Sequence, residues 1–244
     1  MAENKTAVVA TEDNLTTDTH LDKKNFWFTY SKPIIYAGSA LILILGAYFG
    51  YQKLVKEPKE MDAAALIFPA ESLFDKMAQT GFNKDSVNVV LNGGVDNGVN
   101  VTGLLKVASK YSGTLNGNRA EYMIGACYLH IKEFDKAIQH LKDYNSNGAT
   151  QVEIKKYLLL GNAYSEQKKT DEALNAYKKA AAVNEKDEAF TADALITAAA
   201  YADYIGRPKE AIELYQKAQN NYPNFPTVQS GEVEKHLAKL GVTK

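Results

Sequence analysis

The chain has 244 residues, 28 Lys and Arg against 29 Asp and Glu, and 45% hydrophobic residues, enough for one sizeable folded domain with appendages. A net charge of −1, with seven lysines against seven acidic residues in the first 60, hides no basic stretch and argues against nucleic acid as a partner. The single cysteine, Cys127, excludes an internal disulfide and a zinc cluster, and no cysteine stands near the start for a lipoprotein anchor.

Residues 1–24 are rich in Thr, Asn and Asp without apolar periodicity and read as a disordered tail. Residues 25–55 read as a transmembrane anchor. Ile34 to Tyr51 hold no charge over 18 residues, ~27 Å of helix at 1.5 Å per residue. Phe26, Trp27, Phe28 and Tyr30 at one end and Tyr48, Phe49 and Tyr51 at the other stand where interfacial aromatic belts lie. Pro33 suits a first helical turn, where its missing N–H costs nothing. A cleaved signal peptide would have a shorter apolar core and an A-x-A-like site, and a buried soluble helix would be apolar on one stripe only. Gly38, Ile42 and Gly46 follow at four-residue steps, a narrow stripe on which a second helix could pack in lipid. Lys23, Lys24 and Lys32 flank one end and Lys53, Lys56 and Lys59 the other, so charge sets no orientation. A short polar tail before a large C-terminal domain is, by analogy, the look of an anchor whose N-terminus stays in the cytoplasm.

Residues 56–118 read as a degenerate repeat or N-terminal cap. An amphipathic helix is expected over 61–79 through Leu66, Phe74 and Met77, with Pro69 marking a bend or restart. After the apolar run Ser86 to Leu91, NGGVDNGVN reads as a chain reversal without regular structure. Asp96, Asn97, Gly98 and Asn100 resemble a calcium loop only faintly, since Val107 stands at the twelfth position. A helix over 102–111 and the turn SGTLNGN follow.

Residues 119–226 carry a pattern repeated three times. In Ile154 to Asp187, Tyr157, Leu160, Gly161 and Tyr164 share one helix face, and Ala173, Tyr177 and Ala180 share another. Small residues stand where two helices approach closely and large ones fill the space around them. Upstream, Gly125, Tyr128, Ala137 and Leu141 fall in the same register, with Tyr144 where a small residue is expected and a looser helix end implied. Downstream, Ala198, Ala199, Ala211, Tyr215, Ala218 and Pro223 do so. This order resembles the tetratricopeptide repeat of about 34 residues, a helical hairpin that stacks on its neighbours because it cannot bury its own apolar face. Residues 227–244 add a capping helix through Val233, Leu237 and Leu240. The fold expected is all-α, a single N-terminal transmembrane helix followed by a tetratricopeptide-repeat solenoid.

His20, His130, His140 and His236 are scattered, and no H-E-x-x-H, G-x-G-x-x-G, Walker loop or G-x-S-x-G occurs. Neither an enzyme, a cofactor, a metal nor a small-molecule substrate is expected. Binding through the scaffold remains. Stacked hairpins line a concave groove with the first helix of each pair. By register the groove holds Arg119, Tyr122, Leu129 and His130, then Lys155, Leu158, Asn162 and Glu166, then Asp193, Ile196, Asp203 and Tyr204. That polar and aromatic mixture suits an extended peptide. A carboxylate grip by successive cations does not fit, because Asp193 and Thr197 stand where the cations should continue.

The anchor, the degenerate leading repeat, the stretch YSGTLNGNRAEYMIGACYL and the repeats ending in QNNYPNFP together resemble the bacterial YfgM-like family over most of 25–240. The resemblance implies an inner-membrane protein whose repeat domain faces the periplasm. It further implies an accessory of the SecYEG translocon that contacts periplasmic chaperones or emerging polypeptide. A cell-envelope assembly or division scaffold apart from the translocon is the alternative.

Overall fold

A computed structural model describes residues 18–242, and the chain divides into two compact units, one ending at Glu57 and the other beginning at Pro58. The first holds α1 (Asp18–Tyr51), 34 residues long, followed by a π-helical turn over Gln52–Lys56. Residues 18–24, expected in the tail, are the start of this helix. Pro33 therefore lies inside the helix and not in its first turn. Residues 1–17 of the expected tail, and the side chains of Phe26 and Phe28, lie outside the described residues. By length and composition α1 contributes a helix apolar enough to cross a membrane, with a mean hydropathy of 1.8 in its best window. Ile42 and Leu43 are 71% and 73% exposed, the reverse of a core helix.

The second unit opens with α2 (Glu57–Thr80), which runs unbroken through Pro69, so the helix does not restart there. Ala63, Ile67, Ala70, Leu73 and Met77 recur at three- and four-residue steps and are all buried. α3 (Lys84–Asn92) starts where the Asn83 carboxamide accepts from Ser86 N–H at 2.8 Å. The segment expected to be an irregular reversal is a β-hairpin instead, β1 (Gly93–Asp96) antiparallel to β2 (Val99–Thr102). Asn97 and Gly98 both take positive φ, 46° and 80°, which gives the two-residue turn whose twist matches that of the flanking strands. α4 (Leu104–Lys110) then buries Leu104, Val107 and Ala108.

Three helical hairpins follow: α5 (Leu115–His130) with α6 (Phe134–Asp143), α7 (Thr150–Glu166) with α8 (Thr170–Ala182), and α9 (Glu188–Tyr204) with α10 (Pro208–Asn221). Each reverses at one register position through a residue with left-handed φ: Lys132 at 66°, Lys168 at 59° and Gly206 at 74°. The next N–H then reaches back across the turn, Glu133 to Tyr128 O at 2.9 Å, Lys169 to Tyr164 O at 2.9 Å and Arg207 to Ala202 O at 2.8 Å. That bond satisfies a carbonyl the helix end would otherwise leave open.

Inside the hairpins the expected close approaches are present. A Cβ on Gly125 would lie 2.6 Å from Leu141 Cγ, and one on Gly161 would lie 2.4 Å from Tyr177 Cε1. In the third hairpin Ala199 and Tyr215 hold the same register, both fully buried, so the missing glycine does not loosen the stack. In the first hairpin Tyr144 stands where a small residue is expected. It ends α6 in an extended conformation, one turn earlier than α8 or α10 ends, and its own ring is buried against Tyr122 at 5.5 Å. The first helices touch along the stack, α5 on α7 and α7 on α9.

Between α8 and α10 the stack is tied by ion pairs: Arg207 with Asp171, Lys178 with Glu210, and Lys217 with Glu185 at 2.7 Å. After the short helix α11 (Pro226–Gln229), α12 (Glu232–Lys239) buries Val233 and Leu237 and lays the His236 ring 5.1 Å from that of Tyr215. Its remaining faces carry charge, which suits the end of a stack.

Candidate interaction groove

The expected groove residues fall into three groups. Leu129, His130, Asn162 and Glu166 meet around one cavity of about 340 Å³, joined by Lys132, Phe134, Ser165 and Tyr177. The left-handed turn at Lys132 and the equivalent C-terminal end of α7 bring these positions to one level of the stack. The Tyr177 hydroxyl donates to Asn162 Oδ1 at 2.8 Å, and burial, with Tyr201 and Glu166 nearby, pushes that phenol up to about 12. His130 stacks on Phe82 with ring centroids 3.7 Å apart and planes 9° from parallel, and desolvation lowers its imidazole below the ordinary value.

Arg119 and Tyr122 lie elsewhere, at a more apolar cavity of about 360 Å³ between α2, α5 and the start of α7. Arg119 is ion-paired with Glu71 of α2. Burial, followed by the neighbouring Tyr144, pushes the Tyr122 phenol up to about 12. Phe74 and Tyr144 close the sides of this cavity.

The third group is spread along α7 and α9. Lys155 places its ammonium 5.5 Å from the centre of the Phe190 ring. Leu158 and Ile196 are half-buried against the core and fill space between helices, so they offer little to a partner. Asp193 and Asp203 are exposed, and desolvation holds the Asp193 carboxyl above the usual carboxylate range. Tyr204 is 83% exposed, and its ring follows Tyr201 at 6.1 Å, itself 5.1 Å from Tyr177. Three tyrosines thus lead from the buried seam to open solvent. In the first unit, Gly38 and Gly46 stand one turn either side of Ile42 on the same face, with nothing within 4 Å of a Cβ on either, and Gly50 continues the same four-residue step.

Sequence reasoning missed Phe82, Glu71 and Phe74. They lie outside the repeats: Phe82, between α2 and α3, stacks on His130, while Glu71 and Phe74 of α2 line the separate cavity that holds Arg119 and Tyr122. Tyr177, a seam residue by its spacing, also reaches the groove, where its hydroxyl donates to Asn162.

His130 and His140 do not form a pair. His140 Nδ1 lies 2.6 Å from Glu121 Oε2 and its ring stacks on Tyr128 at 5.5 Å, whereas His130 lies on Phe82. Among the described residues no group of three or more His, Cys, Asp or Glu could hold a metal ion.

A tetratricopeptide repeat family model matches residues 153–224, the span of α7 to α10. Among solved structures, the crystal structure of MamA protein matches 73% of this chain and 87% of its own at 20% identity, with a TM-score of 0.46. No curated protein matches the chain in sequence. The family match is to the repeat, which marks a protein–protein interaction scaffold, and it does not reach the YfgM-like subfamily.

Proposed function

We propose that this chain is a membrane-anchored scaffold that holds an extended segment of a partner protein along the first helices of its hairpins. The observation that carries this reading is the meeting of Leu129, His130, Asn162 and Glu166, from two successive hairpins, around one open cavity. A rigid wall of helices presenting amide, carboxylate, imidazole and phenol groups suits the exposed backbone and side chains of an extended segment. We carry the expected organisation forward with it: an anchor over 25–55, a cap over 56–118, three repeats over 119–226 and a closing helix over 227–244.

The resemblance to the YfgM-like family makes the translocon the partner proposed, with residues before the anchor in the cytoplasm and the repeats in the periplasm. Mild detergent extraction of the full chain should then retain SecYEG. Recovery of division or outer-membrane assembly proteins without the translocon would point to the alternative scaffold. Orientation is read separately, from a maleimide that cannot cross the inner membrane applied to a Lys106→Cys variant. Labelling without permeabilising that membrane supports a periplasmic repeat domain, and labelling only afterwards overturns it.

The Gly38, Ile42 and Gly46 face of α1 gives the anchor a surface for close helix packing in lipid. A Gly38→Leu/Gly46→Leu variant stays apolar while blocking close approach. Unchanged translocon retention by that variant would leave recognition to the repeats alone.

A further inference from the structure

We propose that a cavity between α6, α7 and α8 is a second docking site, one that takes an acidic segment of a protein partner. The cavity measures about 280 Å³ and is lined by Lys142, Lys156, Lys179 and a single carboxylate, Glu172, over a floor of Tyr157, Leu160 and Tyr164. On α7 its residues Lys156, Leu160 and Tyr164 stand two positions from Leu158, Asn162 and Glu166, which at 100° per residue puts them on the opposite side of the helix from the groove. The proposal rests on reading the chain as a protein scaffold but concerns a different face.

The repeat register shows what is unusual about this cavity. Lys142 and Lys178 each follow the large seam residue, Leu141 or Tyr177, and Lys179 and Lys217 stand two after Tyr177 and Tyr215. Glu172 and Glu210 each precede the seam alanine, Ala173 or Ala211. At the junction of α8 with α10, Lys178 is ion-paired with Glu210 and Lys217 with Glu185. At the preceding junction both closures are absent. Lys142 and Glu172 line the cavity without pairing, and the loop NSNGA, which stands where Glu185 does in the next repeat, has no carboxylate for Lys179.

The cause is the early end of α6 at Tyr144. Lys142 falls in the helix's last turn and its ammonium lies 5.7 Å from the centre of the Tyr164 ring. Lys156 adds a third cation where the third hairpin has Ala194. It is fixed by donating to Tyr144 O at 2.7 Å and lies 5.7 Å from the Tyr157 ring centre. Burial lowers the Lys156 ammonium from its ordinary value, with Glu153 and Asp143 opposing that from outside the lining, so Lys142 and Lys179, both exposed, are the ammoniums left for a partner.

With Asp143 and Glu153 set against Lys156 from outside the lining, Lys142 and Lys179 remain against the single lining carboxylate Glu172, on a chain whose net charge is −1. Carboxylates from outside would complete the two ion pairs that the next junction makes internally, and an apolar side chain between them would cover Leu160 and the tyrosine faces. An acidic peptide with an apolar centre has that chemistry.

The test is calorimetric titration of the full chain, in a neutral detergent at low salt, with the acetylated and amidated peptide EELFEE. Saturable binding is expected, about tenfold weaker in a Lys142→Gln/Lys179→Gln variant. It should be retained in Lys142→Arg/Lys179→Arg, tighter in Glu172→Gln, and unchanged in the groove variant Tyr204→Ala. No binding, equal binding by the double glutamine variant, or equal binding of QQLFQQ overturns the proposal. Loss of binding with Tyr204→Ala alone would place the peptide in the groove, overturning this site while leaving the groove reading intact. Lysine-dependent binding of phosphatidylglycerol vesicles without binding of the peptide also overturns it.

Discussion

Replacing Gly161 by Ala tests the packing on which the groove depends. The added methyl would lie 2.4, 2.5 and 2.7 Å from Cε1, Cδ1 and Cζ of Tyr177, so ring or helix must move by about 1 Å to restore ordinary contact. The ring has little room, being 5% exposed and flanked by Tyr201 at 5.1 Å. Overpacking of this kind costs ~1–3 kcal/mol. Displacing the ring also strains the hydroxyl bond to Asn162, worth ~0.5–1.5 kcal/mol. Higher helix propensity of Ala returns ~1 kcal/mol. The expected net loss is about 1–3 kcal/mol, a fall of ~2–10 °C in Tm for a chain of this size. Far-UV circular dichroism melts give the total, and amide exchange should show the loss concentrated in α7 and α8. A companion Gly161→Ala/Tyr177→Leu variant, with a smaller seam residue as in the first hairpin, should recover part of it. The third hairpin already holds Ala199 opposite Tyr215 in the same register. If Gly161→Ala melts at or above the parent temperature, α7 and α8 have moved to that spacing, and the close approach at Gly161 does not limit the seam.

Lys168 takes φ of 59° where the third hairpin has Gly206, so Lys168→Gly should stabilise the chain by about 0.5–1 kcal/mol, read as a rise in urea midpoint at unchanged slope. Cys127 is fully buried and its thiol is pushed up to about 12 by burial, so a thiol reagent at pH 8 should leave the native chain unlabelled and react fully in denaturant. Because desolvation lowers the His130 imidazole below 6.5 in the fold, the unfolded chain binds the proton more readily between the two values. Its stabilising effect is therefore complete above pH 6.5 and lost as acid takes the chain down through that window, and His130→Phe, which keeps the stack on Phe82, should flatten the melting temperature there.

The repeats were legible because close helix approach demands a small residue at a fixed distance from a large one. Gly125 with Leu141 and Gly161 with Tyr177 carry that demand in their spacing alone. The β-hairpin was not read because its strands are four residues each, too short for alternation to stand out, although Asn97-Gly98 is the dipeptide such a turn prefers. Pro69 suggested a break, but the burial of Ile67, Ala70 and Leu73 on either side keeps α2 in one piece. Half of the groove followed from register. The cavity between Leu129 and Glu166 needed only the pairing of α5 with α7, whereas Arg119 and Tyr122 are drawn to a separate cavity by Glu71 and Phe74 of α2. Lys142, Lys156 and Lys179 show no charge run in the sequence, since stacking and the early end of α6 bring them together.

The central claim is that a partner's extended segment lies along the first helices, and a photocrosslinking residue placed at Glu166 tests it most directly. Glu166 lines the shared cavity and makes no hydrogen bond that the exchange would break; a matched residue at Glu213, exposed on α10, serves as reference. Irradiation in membranes should give discrete protein adducts from position 166 and few from 213, with the captured peptide identified by mass spectrometry. Equal adducts from both positions, or adducts from 213 alone, would contradict the account and move binding to the outer helices.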